Sequence, residues 1–479
     1  MKLRVPASAM AIGLAALMSS APAAASAAQP APVARSAHHQ SVAATTPIKH
    51  FIFLMQGGRT FDNYFGTYPG ADGPPAGTCQ LQIAGQPKHG CVQPFPLIGK
   101  QPPPLGASRT TVFAQYHHGQ MNGFVSAYQR QGRNGSPVMG YYDHRRLPFY
   151  WNAARSYVLF DHFFSSAMYG IRANRSYWVS AATAPGGRGA IPAGGYGRQR
   201  TIFDRLQAAG VSWKFYVQDY NPADTYRTAS PANLQTQTSR VPLVDYRRFT
   251  QDPALARHIV GLAQYYQDLA AGTLPAVAYI ASSSGDNERS ARTIAAGQSL
   301  VRDLTTQLMQ SRYWDSSALM WSYDSSGGWF DHVRPPRTGP AVLGLRVPAL
   351  LVSAYAAKGR VDHTVLDYTS ALKFIEQNWG LAPLTARDAR VNSLAGAFDF
   401  TAGPRPPALI PSGSSVLTGG APPAFLPPPT PTTTIYVLYG AAAATGVFCL
   451  VFAACWPGLA ARRRALSARR AASTDGAGT

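Results

Sequence analysis

Short apolar runs alternate with amphipathic stretches over most of the chain. Residues 48–55 form a mostly apolar run with strand-forming residues, followed at once by Gln56, Gly57 and Gly58. Similar runs at 211–217, 274–280, 314–323 and 344–354 predict further strands, and 157–164 is strand-like. Between them, 147–156 predicts a helix beginning near Pro148. Residues 201–210 predict one with Thr201 as N-cap and Gly210 as its stop. The segments 294–309 and 370–379 are amphipathic helices, the second ending at Gly380. The alternation implies an α/β domain over 48–403, in which a ligand site lies where strands end. The glycines after Gln56 let the backbone turn sharply or approach a ligand closely there. Residues 218–252 are polar and Tyr-rich with little periodicity, as in an insertion or lid.

The two ends follow other patterns. Residues 1–27 carry Lys2 and Arg4, an apolar segment and an Ala25-Ser26-Ala27 ending, which predicts a secretory signal peptide. Residues 28–47 are a disordered leader by composition, and 404–434 are a Pro/Ser/Thr/Gly stalk. Residues 435–456 contain no charge and are long enough to cross a bilayer. Arg462, Arg463, Arg464, Arg469 and Arg470 follow in the tail, 457–479, and place it in the cytoplasm. The expectation is a cell-membrane protein with an extracytoplasmic N-terminal domain on a single-pass C-terminal transmembrane helix.

The formal charge of +21 includes the basic residues of both ends, but the central domain is also basic. Anionic lipid head groups, phosphate esters or cell-wall polymers are the partners this charge favours. No nucleic-acid fingerprint accompanies it, and no nucleic-acid partner is expected. Cys79 and Cys91 bracket a short loop and predict a disulfide outside the cell, with a metal site including His89 as the alternative.

The stretch from Met55 to Gly70, MQGGRTFDNYFGTYPG, resembles the start of the bacterial phosphoesterase family of phospholipases C and acid phosphatases. That family belongs to the alkaline-phosphatase-like superfamily and reads Met-Gln-Glu-Asn-Arg-Ser-Phe-Asp-His-Tyr-Phe-Gly at this point. A second block, Tyr323 to Val333, resembles its Tyr-Asp-Glu-x-Gly-Gly-Phe-Phe-Asp-His-Val. The resemblance covers 48–400 and implies a three-layer α/β/α sandwich of alkaline-phosphatase-like type. It also implies a centre built from a Glu and an Asn, a Thr or Ser nucleophile, a His from a Glu-His-Pro segment, and an Asp-Glu pair.

In this sequence the Glu and Asn fall on Gly57 and Gly58, the nucleophile on Ile171, and the second acid of the pair on Ser325. The Glu-His-Pro region contains Asp286, Asn287, Glu288 and Arg289, without a histidine, and reads as a polar surface loop from which Asp286 or Glu288 could reach a cation. Asp324 alone is kept, a weak metal ligand by itself because hard cations need several charged oxygens. Arg59, Asn174, Arg175, His332 and His363 are the ligand-binding candidates. The expectation is therefore a catalytically degenerate phosphoesterase domain that binds an anionic or phosphate-ester ligand, with no cofactor, or a divalent metal if active. The alternatives are a phospholipase C-like hydrolase with a metal site rebuilt around Asp324, and a structural cell-surface protein.

Overall fold

The computed structural model describes residues 42–97, 102, 105–184, 191–229, 236–289, 293–338 and 341–413. Their centre is an eight-stranded sheet. In chain order the strands are β1 (His50–Gln56), β2 (Val158–Phe160), β3 (Trp213–Val217), β4 (Ile259–Gly261), β5 (Val277–Ala281), β6 (Ser317–Tyr323), β7 (Ala349–Ser353) and β8 (Arg360–Asp362). Across the sheet the order is β8-β2-β7-β6-β1-β5-β3-β4. Only β7 runs antiparallel to its neighbours. β1 lies centrally, with Gln56 opposite Tyr323 of β6 and Met55 opposite Ala281 of β5. The C-terminal ends of β1, β5 and β6 therefore open on one edge.

The helices that cover this sheet are α1 (Phe61–Phe65), α2 (Pro148–Ser156), α3 (Ile171–Ser180), α4 (Ile202–Ala208), α5 (Ala263–Ala271), α6 (Ile294–Met309) and α7 (Tyr368–Asn378). Alternate residues of each strand meet different helices, as a period of two requires. Phe51 packs on Phe374 of α7, Phe53 on Trp178 of α3, and Phe215 on Phe203 of α4. On the opposite face Trp321 meets Tyr150 of α2, and Tyr216 meets Tyr265 of α5. Helix α6 buries Ile294, Gly297, Leu300, Val301, Leu304 and Leu308, the three-four spacing of one helical face. Thr201 and Asp204 form a reciprocal cap on α4, and Asp367 and Ser370 form one on α7. The result is a mixed α/β sandwich.

One part of the expected architecture is corrected. No helix among the described residues is long and apolar enough to cross a membrane; α6, with 16 residues, is amphipathic rather than apolar throughout. The segment 435–456 lies outside the described residues, as do the expected signal peptide, most of the leader, most of the stalk and the tail. The transmembrane helix, the membrane as partner and the single-pass topology are accordingly withdrawn.

Candidate functional site

Loops leaving β1, β5 and β6 converge at the C-terminal edge of the sheet. The Gly57 N–H donates to Asn287 O at 2.8 Å, and the Asp324 N–H donates to Gln56 O at 3.0 Å. The first and third loops also touch glycine to glycine. A Cβ on Gly327, whose φ is +63°, would lie 2.1 Å from Gly58 O. Only residues without side chains allow that approach.

Asp324 follows β6 directly and is 1% exposed. Its Oδ1 accepts from Arg289 Nη2 and from Ser325 Oγ at 2.9 Å, and its Oδ2 accepts from Arg175 Nε at 3.1 Å. Burial would raise this carboxyl, but the adjacent Arg289 and Arg175 outweigh it and hold Asp324 below the usual carboxylate value. Arg175 is itself buried, and also donates to Arg240 O at 2.7 Å and to the carbonyls of Met55 and Gln56 at 3.3 Å.

The Arg289 guanidinium lies against the glycines that end β1. A Cβ on Gly57 would meet its Nη2 at 2.8 Å, and one on Gly58 would meet its Nη1 at 3.0 Å. Arg289 Nη1 also lies 3.4 Å from Ser325 Oγ. One side chain thus touches positions 57, 58, 324 and 325 together. Sequence reasoning noted Arg289 only as part of a polar loop. Its signal was its place after Glu288, where the Glu-His-Pro pattern has histidine.

Ile171 opens α3 behind Gly170, whose φ is +104°. It stands one turn before Arg175, on the helix that carries that arginine to Asp324. Asn174 braces the preceding loop, accepting from Ala167 N at 2.7 Å and donating to Ala167 O at 3.2 Å. Arg59 is fully buried, donates to Glu288 O at 2.6 and 2.9 Å, and lies over Trp329. Asp286 accepts from Gln218. These geometries bring Arg175, Ser325, Gly57 and Gly58 together with Asp324, and give Arg59 and Asn174 bonds to the loops around them.

Glu288 differs from the surface-loop expectation: it is fully buried. Its φ of +61° turns the side chain inward, where Tyr64 OH (2.6 Å), Tyr323 OH (2.9 Å) and Tyr150 OH donate to its carboxylate. Burial pushes the Glu288 carboxyl up to about 7, against the three phenols, which favour the charged form. A Cβ on Gly297 of α6 would meet Glu288 Cγ at 2.2 Å, so the pocket is closed from that side as well.

His332 and His363 sit in a second ionic cluster. His332 Nδ1 lies 2.8 Å from Asp62 Oδ2, and its Nε2 lies 3.3 Å from Asp72 Oδ1. His363 Nδ1 lies 2.8 Å from Asp161 Oδ2. Asp62, Asp331 and His332 bring three ligand atoms within 4.8 Å, an incomplete cluster for a metal. The buried guanidinium of Arg346 joins it, with Nη2 2.8 Å from Asp62 Oδ1 and Nε 2.9 Å from Asp331 Oδ1.

The divalent ion implied by the resemblance does not fit the donors at β1 and β6. Glycines supply no side-chain ligand atom, Ser325 is neutral, and both Asp324 oxygens already accept from guanidinium groups. A hard cation requires several charged oxygens, and a neighbouring guanidinium repels it.

A sequence profile described as Phosphoesterase family matches residues 48–382. The chain is 29% identical over 421 residues to Phospholipase C A of Mycobacterium tuberculosis, covering 75% of this chain and 78% of that protein. It is 27% identical over 438 residues to Non-hemolytic phospholipase C of Burkholderia pseudomallei, covering 74% and 59%. A crystal structure of an alkaline phosphatase superfamily protein from Vibrio parahaemolyticus aligns with 73% of this chain and 70% of its own, at 12% identity and a TM-score of 0.34, a likeness too slight to carry an argument.

Proposed function

The chain belongs to the phosphoesterase family, and from that premise we propose that it binds a phosphate ester or related anion without hydrolysing it. It is a domain related to bacterial phospholipases C whose metal-binding set is incomplete. Family membership alone does not carry the relatives' activity across. The observation that carries the proposal is the engagement of both Asp324 oxygens by Arg289 and Arg175.

Hydrolysis by a metal-assisted route needs a nucleophile and a cation to take up charge on the phosphoryl oxygens. Ile171 has no atom that can attack phosphorus, and the surviving carboxylate holds arginines. Recognition has fewer requirements. Arg175 and Arg289 flank one buried aspartate. Burial and the nearby charge of Arg175 lower the pKa of Arg240, with Asp219 and Asp224 acting on it in the opposite sense. Arg240 is 8% exposed, and its Nε has no partner among the described residues. Guanidinium groups suit phosphate oxygens.

The test is turnover of a chromogenic phosphocholine diester by the full chain, with calcium, zinc, manganese or magnesium, beside the Asp324→Ala variant. The expected rate is the same for both proteins with every metal. Metal-dependent turnover that disappears in Asp324→Ala would overturn the proposal in favour of a rebuilt hydrolytic centre.

A further inference from the structure

We infer that the Arg289 guanidinium is a built-in replacement for the metal ion, and that the site binds a phosphoryl oxyanion through this fixed cation. The inference rests on the non-hydrolytic reading above and adds the group that holds the ligand.

Four family ligand positions have lost their ligands or kept only one: Gly57, Gly58, Asp324 and Ser325. A metal serving those positions would lie between them. The Arg289 guanidinium occupies that space, bonded to Asp324 Oδ1 and within 3.4 Å of Ser325 Oγ. The space exists because of the glycines, since a Cβ at 57 would stand 2.8 Å from Nη2. A Cβ at 58 would stand 3.0 Å from Nη1 and would also have to adopt φ of +68°. The glycines and the arginine thus form one steric unit: a carboxylate or carboxamide at 57 or 58 would displace the guanidinium.

The charge argument agrees with the steric one. A divalent ion at a carboxylate leaves net positive charge for substrate oxygens. Asp324 is here flanked by Arg289 and Arg175, which leaves the group net positive by one charge. Arg175 is enclosed, whereas the Arg289 side chain is 22% exposed and faces solvent at the strand ends. Its Nε makes no hydrogen bond among the described residues, while Nη1 and Nη2 hold the group in place. A tetrahedral oxyanion can accept from such a donor in a charge-assisted bond, in the manner of other arginine–phosphate pairs. The ligand class is therefore a phosphate group, free or as the head of an ester.

Titration calorimetry of the full chain with inorganic phosphate and with phosphocholine, in EDTA and then with zinc or manganese, tests this. Binding is expected in EDTA, unchanged by metal. It should weaken roughly tenfold or more in Arg289→Gln and be largely retained in Arg289→Lys, which keeps the charge. Circular dichroism melts of both variants report whether they fold, and if the glutamine variant does not, the comparison of EDTA with zinc or manganese on the unmodified chain still decides the matter. Binding that needs metal, or that both variants leave unchanged, overturns the inference and leaves the non-hydrolytic reading standing. Binding to neither anion overturns it as well. Release of product from a phosphodiester in the same samples overturns the non-hydrolytic reading instead.

Discussion

Arg175 reaches from α3 to Asp324 at the end of β6, its Nε 3.1 Å from Oδ2, with both side chains about 1% exposed. The pair ties the helix that opens at Ile171 to the sheet edge. Breaking a buried pair leaves a charge without compensation, which typically costs about 3–5 kcal/mol. Asp324→Asn should therefore lower unfolding stability by about that amount, because it leaves Arg175 and Arg289 facing each other. The double variant Asp324→Asn/Arg175→Met should lose less than the sum of the single variants in urea melts. Strict additivity would mean that the two side chains do not interact.

Glu288 predicts a pH dependence. Its carboxyl is raised from 4.5 to about 7 by burial, so the folded state holds a proton that the unfolded chain releases between those values. Stability should fall as pH rises from about 4.5 to 7 and then level off, by about 3 kcal/mol from this group. Glu288→Gln, which cannot ionise, should flatten that part of the melting profile. An unchanged slope in the variant would assign the dependence to other groups.

His332 acts in the same direction. Burial would lower its pKa, but Asp62 and Asp331 outweigh burial and raise it above 6.5. A raised histidine contributes stability that is fully present below the unfolded value and is lost as pH rises through the folded one. Its ring resonances should titrate above 6.5 by NMR, and Asp62→Asn should move the midpoint down. A midpoint at or below 6.5 in the native protein would contradict the pairing.

Local features of this fold were legible in the sequence. The strand ending at Gln56, the amphipathic helix over Ile294–Met309, the cap at Thr201 and the stop at Gly210 depend on neighbours in the chain. At Gly57, Gly58 and Ile171 residue type alone shows that no side-chain heteroatom is present, and at Ser325 that only a neutral hydroxyl is. What fills these positions was not legible. Arg289 reaches Asp324 across a separation of 35 residues, and nothing in its own segment announces that contact. Glu288 looked like surface because Asp286, Asn287 and Arg289 surround it. Its burial depends on a positive-φ turn and on tyrosines from α1, α2 and β6. Arg346 carries no local signal for a similar reason: its partners Asp62 and Asp331 lie far apart in sequence.

What occupies the space between Gly57, Gly58 and Asp324 separates anion binding from metal-dependent hydrolysis most directly. A crystal of the full chain grown with manganese or zinc, with anomalous diffraction collected at the absorption edge of that metal, reads this position without relying on activity. The predicted map has no anomalous peak within coordinating distance of Asp324, and shows the Arg289 guanidinium there. A peak bound to Asp324, with Arg289 displaced, would contradict the account and return the chain to the metal-dependent hydrolases of its family.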